Sequence, residues 1–417
     1  VIMGISRSGS VRWGPACDKG QAVWKSRRGH SVRSPEGNSM SDSGSVGWPH
    51  IFSPFRLGVL ELPNRTVVAP MTRISADVDG VPTAQMADHY AAFARGGFGL
   101  IVTEGTHTDL AQSQGYRDQP GIVTPAQIAG WKNVVDAVHA AGGRILLQLM
   151  HAGALVQDNR YTDETIAPSA VQPAGAMAAR YYGDGPFRMP RAMTHDEIGT
   201  VIETFETSAA NAMAAGFDGV EIHGANGYLP VQFLTPETNT RTDEYGGSLE
   251  NRLRFHREIM AAVVRGIAGR GLAGIRLSQS RSNDFNYKWH GGADEARTIF
   301  TAMVAEGADF LHVTTHQGLE AEFAGGRTLA GLARDCAGVP VIGCGKLDKP
   351  ADAEKLLESG EADLFAIARG AIGDPYWPRK LARGEMPVPF DPGMISPFAT
   401  LDATAAWRAD HGISFAA

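Results

Sequence analysis

Eight short apolar runs, each followed by a longer stretch of helical periodicity, constrain this chain more than any other feature. The runs are RTVVAPMT (65–72), GLIVTEG (99–105), RILLQLMH (144–151), GVEIHGA (219–225), GIRLSQS (274–280), FLHVTTH (310–316), PVIGCG (340–345) and LFAIARG (364–370). They are nearly continuous in apolar residues and do not alternate, as befits parallel strands covered on both faces. Helical patterns over 83–95, 125–141, 195–215, 249–268, 293–306, 328–336, 350–359 and 374–384 separate them. Gly97, Gly142, Gly216, Gly307 and Gly360 stand between helix ends and the next run, where a left-handed residue turns the chain back. Strict alternation of eight strands and eight helices predicts a single-domain (β/α)8 TIM barrel. A doubly wound sheet is the alternative, but no GxGxxG opens the first βα unit.

The barrel is expected over 46–390. Residues 1–45, rich in Arg, Ser and Gly and without periodicity, read as a disordered extension with Met40 as a natural start. An Arg/Ser-rich transit peptide is the alternative reading of that segment. Residues 391–417 are expected as a tail on or near the barrel. Two βα connections are long, 152–193 after the third strand and 226–248 after the fourth, and long loops at that face are more often functional than idle.

A net charge of −7 argues against a basic groove for nucleic acid. No apolar run approaches the roughly 20 residues of a membrane span. The three cysteines, Cys17, Cys336 and Cys344, form no CxxC and no metal-spaced cluster, which suits a reducing cytoplasm. Cys336 and Cys344 read as buried structural thiols. Oligomeric state is left open, a homo-oligomer included.

In such barrels chemistry gathers where the strands end. Thr72, Glu104-Gly105, Gln148, His151, His223, Asn226 and Arg276 stand at or near those ends. Apolar cores do not need such groups, and burying them unpaired is costly. The last two strands end in small residues, the Gly-Cys-Gly of 343–345 and Ala368-Arg369-Gly370. Exposed backbone N–H groups beside a guanidinium suit a phosphate. A lone GCGK is weak by itself, and the barrel context with the strand-end ARG strengthens it; a surface ion pair is the lesser alternative for Arg369. His223 and Asn226, three residues apart, can aim two donors at one carbonyl oxygen. Tyr228 adds a phenol that can deliver a proton. A lone strand-end His is ordinarily a satisfied core residue; the converging neighbours favour a site here. Beyond it, Pro236 breaks the chain, Gly246-Gly247 turns it, and Ser248 is a good N-cap for a helix with Glu250 in its first turn. Arg241, Asp243, Glu250 and Arg252 read as a polar network bracing the loop.

The stretch HGANGYLPVQFLTPETNTRTDEYGGSLENRLRF resembles the signature of the Old Yellow Enzyme family of FMN-dependent ene-reductases. The resemblance extends to LPNRTVVAPMTR (62–73), GLIVTEGT (99–106), ILLQLMHAG (145–153), GIRLS (274–278) and ADLFAIARGAIGDPYWPRKL (362–381), and covers about 50–385. Family members are (β/α)8 barrels, in agreement with the strand count. The resemblance implies that Pro70, Met71 and Thr72 line the flavin, that Gly105 and Gln148 contact its pyrimidine edge, and that Arg276 sits near N1. It implies that Gly345, Ala368 and Arg369 hold the FMN phosphate, that His223 and Asn226 bind the substrate carbonyl or a phenolate, and that Tyr228 donates the proton. The implied activity is ping-pong: NADPH or NADH reduces the flavin, and N5 then passes hydride to an activated small-molecule alkene, an α,β-unsaturated carbonyl or nitro compound. Departures from the family pattern are Ala154, where many relatives have Arg, and Ile74, where one subgroup has Tyr. The short stretch after the barrel and the missing cysteine cluster argue against relatives with an iron–sulfur cluster, such as dienoyl-CoA reductases. Related flavoproteins acting on amines, nitrate esters or nitroaromatics remain an alternative. A flavin-free aldolase or lyase is more remote: Lys346 is the only strand-end Lys, and no metal site is read from the spacing.

Overall fold

The computed structural model describes residues 47–323 and 325–415. The expectations for 1–45, with Met40 and Cys17, lie outside the described residues. Eight parallel strands close into a barrel in sequence order. They are β1 (Thr66–Val68), β2 (Leu100–His107), β3 (Ile145–Met150), β4 (Gly219–Asn226), β5 (Leu272–Arg281), β6 (Phe310–Thr314), β7 (Val341–Cys344) and β8 (Leu364–Ile367). Between them run α1 (Ala84–Arg95), α2 (Pro125–Ala140), α3 (His195–Ala215), α4 (Leu249–Ile267), α5 (Gly292–Ala305), α6 (Leu329–Ala337) and α7 (Pro350–Glu358), and α8 (Trp377–Ala382) follows β8. The (β/α)8 expectation holds.

Local chemistry fixes the helix starts. Thr83, Thr124, Thr194, Ser248 and Thr328 each accept a backbone N–H as N-caps, and Gln127 and Glu197 complete capping boxes with Thr124 and Thr194. Several expected elements are shorter than read. β1 stops at Val68 because Pro70 has no N–H to give the ladder. The run 364–370 stops at Ile367 and passes into a five-residue turn of helix, Arg369–Gly373, and the helix expected over 374–384 is only α8. The break falls at Asp374, which precedes Pro375 and takes an extended conformation, as a pre-proline residue prefers. Its buried carboxylate instead accepts from the N–H of Tyr376 and Val388 and pairs with Lys380 Nζ at 2.7 Å. Several elements carry too little periodicity to be read: a hairpin Phe55–Leu57 with Leu60–Leu62, a parallel pair Ile166–Ala167 with Arg191–Ala192, and helices Leu229–Leu234 and Leu401–Asp410.

The barrel interior is divided along its axis. Leu57, Leu60 and Leu62 from the hairpin pack with Val67, Leu100, Leu146, Leu272, Phe310, Ile342 and Leu364 into an apolar floor. There Gly274 is required: a Cβ would meet the Phe310 ring at 2.1 Å. Above the floor the interior turns polar. Glu221, buried, accepts from Gln148 Nε2 at 2.8 Å and lies 2.7 Å from His312 Nδ1. Of the two described cysteines, Cys344 is buried but Cys336 is only half-buried, because its helix α6 lies on the outside. Among the described residues, no helix is long and apolar enough to cross a membrane.

Candidate active site

A cavity of about 1000 Å3 opens among the C-terminal ends of the strands. Pro70, Met71 and Thr72 reach it from the end of β1, Gly105 from β2 and Gln148 from β3. His223, Asn226 and Tyr228 reach it from β4 and its loop, Arg276 from β5, and Ala368 and Arg369 from the end of β8. Gly345 is not among its walls. It lies between Cys344 and Lys346, which line an adjoining cavity of about 480 Å3 that shares Asn226, Ala368 and Arg369 with the first. Gly345 has φ +147°, and a Cβ there would sit 2.6 Å from the Thr315 carbonyl oxygen and 2.8 Å from the Gly318 nitrogen. Only glycine permits that approach of two backbones. Lys346, the strand-end Lys of the aldolase alternative, lines only the smaller of these two cavities and stands 3.1 Å from His316 Nε2.

His223 and Asn226 should face opposite sides of a regular strand, since side chains alternate. Both face the cavity because the β4–β5 register shifts between Gly224 and Asn226. Asn226 takes φ +61°, a left-handed conformation that Asn tolerates, and its N–H donates to Ser278 Oγ at 2.9 Å. Its carboxamide bonds to no other described side chain or backbone group. His223 is buried, its Nδ1 is without a partner among the described residues, and its ring lies 4.8 Å from that of Tyr228. Burial, then the charges of Arg276 and His312, hold His223 well below the usual imidazole pKa, so the ring is neutral and offers one N–H.

Tyr228 caps the short helix Leu229–Leu234, which fixes its backbone. Its hydroxyl pairs with the hydroxyl of Tyr116, from the loop after β2. Burial raises the Tyr228 phenol, the bond from Tyr116 offsets part of that, and the group stands at about 12. Tyr116 itself is pushed well up by burial and by the neighbouring Tyr228 and Tyr181 oxygens. Its ring meets Tyr181 edge-on at 4.9 Å. Tyr116, Tyr181, Met150 and Phe187 line the same cavity and are absent from the sequence reading. The available signal was the long polar connection after β2, which holds Tyr116 between Gly115 and a Pro-Gly turn.

Arg276 donates through Nη2 to Thr314 Oγ1 at 3.2 Å and to Cys344 Sγ at 3.5 Å, while its Nε has no partner among the described residues. Burial raises the Cys344 thiol, but Arg276 and His312 outweigh it and bring the group to about 7. Burial lowers His312, and the Glu221 carboxylate outweighs that and holds it above its ordinary value. A buried guanidinium and a buried imidazole with unused N–H or N groups beside a large cavity fit a planar, hydrogen-bonding, anionic ligand such as a flavin. Outside the cavity, His195, Asp243 and Glu244 gather near the surface, a grouping that spacing alone did not reveal. Arg241 already holds Asp243 at 2.6 Å, in the loop-bracing role expected of that pair.

The chain matches the model of the NADH:flavin oxidoreductase / NADH oxidase family over residues 50–386. It is 33% identical over 348 residues to an NADH oxidase of Thermoanaerobacter brockii, covering 81% of this chain and 51% of that protein, so it spans about half that relative's length. It is 36% identical over 332 residues to a probable flavin mononucleotide-dependent alkene reductase of Leishmania infantum, covering 78% of this chain and 88% of that one. The solved structure of morphinone reductase superposes with a TM-score of 0.75 at 34% identity, covering 86% of this chain and 97% of that one.

Proposed function

The chain belongs to the Old Yellow Enzyme family, the NADH:flavin oxidoreductases, and from that premise we propose that it is an NAD(P)H-dependent FMN ene-reductase acting on α,β-unsaturated carbonyl or nitro compounds. The observation that carries the reading is the convergence of His223, Asn226 and Tyr228 on the cavity that Thr72, Gln148 and Arg276 also line. Gly345, Ala368 and Arg369 would hold the FMN phosphate, through backbone N–H groups and a guanidinium. Pro70, Met71, Thr72, Gly105, Gln148 and Arg276 would hold the ring. FMN bound there would supply the hydride chemistry between a nicotinamide and an activated alkene.

The protein's own residues polarise and protonate. His223 Nε2 or Nδ1 and the Asn226 carboxamide donate to the substrate oxygen, stabilising the negative charge that grows there. A neutral imidazole does this without surrendering its proton, in keeping with its depressed pKa. Tyr228 protonates the α-carbon. With a pKa near 12 it keeps its proton in neutral solution and releases it only to a strongly basic carbon. Tyr116 donates to the Tyr228 oxygen and so stabilises the phenolate left behind. Arg276 would supply a fixed positive charge to the bound ring.

The test is an absorption spectrum of the purified protein, then after anaerobic NADPH, then after cyclohexenone. A flavin band that bleaches and returns supports the reading. Absence of flavin, even after FMN is added back, would overturn it. Bleaching without return would move the acceptor to nitroaromatics or nitrate esters.

A further inference from the structure

The main cavity has a wall that lies outside the barrel strands and their helices. Phe390, Pro392, Ile395, Ser396, Pro397 and Ala399, from the C-terminal segment, line it. Apart from one 3-10 turn, Pro392–Ile395, this stretch has no regular structure before the helix Leu401–Asp410. Irregular backbone stays in place only where tethers offset its conformational entropy. Two sets of tethers hold it. On one side is Arg73, 1% exposed, immediately after Thr72. Its guanidinium donates to the Ala399 carbonyl at 3.2 Å, to the Thr400 carbonyl at 2.7 Å and to Thr404 Oγ1 at 2.7 Å. Ser75 Oγ accepts from the Leu401 N–H at 2.9 Å. On the other side is the insertion after β3. The Arg180 carbonyl accepts from the Ala399 N–H at 3.0 Å, and Phe398 packs on Tyr182 with ring centroids 4.2 Å apart.

Arg73 is itself held from the barrel, its backbone N–H donating to Glu104 Oε2 at 2.8 Å. A buried arginine is costly unless its N–H groups find acceptors, and here the acceptors met by Nε and Nη2 all belong to the tail, while Nη1 has no partner among the described residues. The residue is therefore built around the tail, and the tail around it. The wall it holds is mostly apolar, and so are Tyr181 and Phe187 beside it.

We propose that Arg73 is a specificity-determining positioning residue: by tethering Ala399–Thr404 it fixes Ile395–Ala399 as the wall that limits the size of the alkene admitted. The proposal rests on the ene-reductase reading for its substrate, cyclic enones with apolar substituents, but the wall and its tether do not.

The test uses the holoenzyme and three variants, Arg73→Met, Thr404→Val and the double variant Thr404→Val/Phe398→Ala. Protease cleavage within 391–400 reports release of the tail. Flavin absorbance reports FMN content and the binding of a small and a bulky phenol, which needs no turnover. Steady-state kinetics compare cyclohexenone with a phenyl-substituted cyclohexenone. The expected result is faster cleavage, full FMN content, and kcat for cyclohexenone within about two-fold in the double variant. The ratio of kcat/KM for the bulky over the small enone should rise about ten-fold, the scale on which apolar pockets discriminate. The phenol affinities should shift the same way. Faster cleavage with unchanged size ratios, in phenols and enones alike, would overturn the wall. Unchanged cleavage in Arg73→Met would overturn the tether. If the wild type binds both phenols but reduces neither enone, the functional reading fails, and the phenol ratios alone decide the wall.

Discussion

Tyr116→Phe isolates the partner of the proposed proton donor. The variant keeps the ring, its burial and its edge contact with Tyr181, and removes the hydroxyl, which bonds Tyr228 and also lies beside the Thr72 side chain. In the resting protein this exchanges one hydrogen bond for none, at a cost of about 1 kcal/mol and a shift of about 1–2 °C in Tm for a chain of this size. During protonation of the α-carbon the demand is larger, because the Tyr228 oxygen becomes a phenolate. A hydrogen bond to a charged acceptor contributes about 1.5–3 kcal/mol, so its loss slows the step roughly 10- to 100-fold. The direction follows from the structure: the Tyr116 bond lowers the Tyr228 pKa from what burial alone would impose, and without it the phenol rises above about 12 and becomes a poorer acid. The assay is anaerobic rapid mixing of each half-reaction separately. Flavin reduction by NADPH should proceed at the wild-type rate. Reoxidation by cyclohexenone should slow within the stated range and show an increased solvent isotope effect. Equal slowing of both halves would mean that Tyr116 shapes the cavity without assisting a proton transfer. An unchanged oxidative half, with Tyr228→Phe slow, would show that Tyr228 works without its partner and would refute the reasoning.

His223→Ala should keep FMN and slow enone reduction by about 10²–10³, the usual effect of removing one donor to a developing oxyanion; retained turnover would remove it from the site. Because His223 is held neutral, phenol affinity should show no break near 6.5, and such a break in a pH titration would contradict its depressed pKa. Arg369→Ala should weaken FMN about 10- to 100-fold, the worth of a charge-assisted bond, measured by fluorescence titration of apoprotein. Glu104, buried, has its carboxyl raised by desolvation from the ordinary 4.5 to about 7 despite the Arg73 and Tyr90 bonds. The native state therefore binds a proton that the unfolded chain has lost, and stability should fall as pH rises from 4.5 to about 7, by at most roughly 3 kcal/mol. Glu104→Gln should flatten that fall in denaturant midpoints; a wild-type stability that climbs across the same window would refute it.

What could be read in the sequence and what could not divide along a physical line. Thr72, Gln148, His223 and Arg276 were legible because a parallel barrel brings the end of every strand to one face, so a polar group closing an apolar run already has an address. The spacing of His223 and Asn226 was legible as chemistry but not as geometry. Three residues apart they would diverge, and only the register shift after Gly224 brings them together. Tyr116, Tyr181 and the 390–399 wall were not legible, because they stand on irregular backbone whose place is set by distant partners. The bond from Arg73 to Thr404 closes a gap of 331 residues, and no periodicity announces it. The interior shows the same division. In the floor, Leu146, Leu272 and Phe310 lie on or beside apolar runs that the hydrophobic pattern shows, while Leu57 and Leu62 come from a hairpin that it does not, and together they secure the barrel by burial. In the layer above it Glu221 is paired with Gln148 and His312, while Arg276 meets the Thr314 hydroxyl and keeps its Nε without a partner among the described residues. Replacing a floor residue should therefore cost stability first. Replacing a member of the upper layer leaves a charged neighbour unpaired directly beneath the cavity, so there stability and cofactor affinity should fall together.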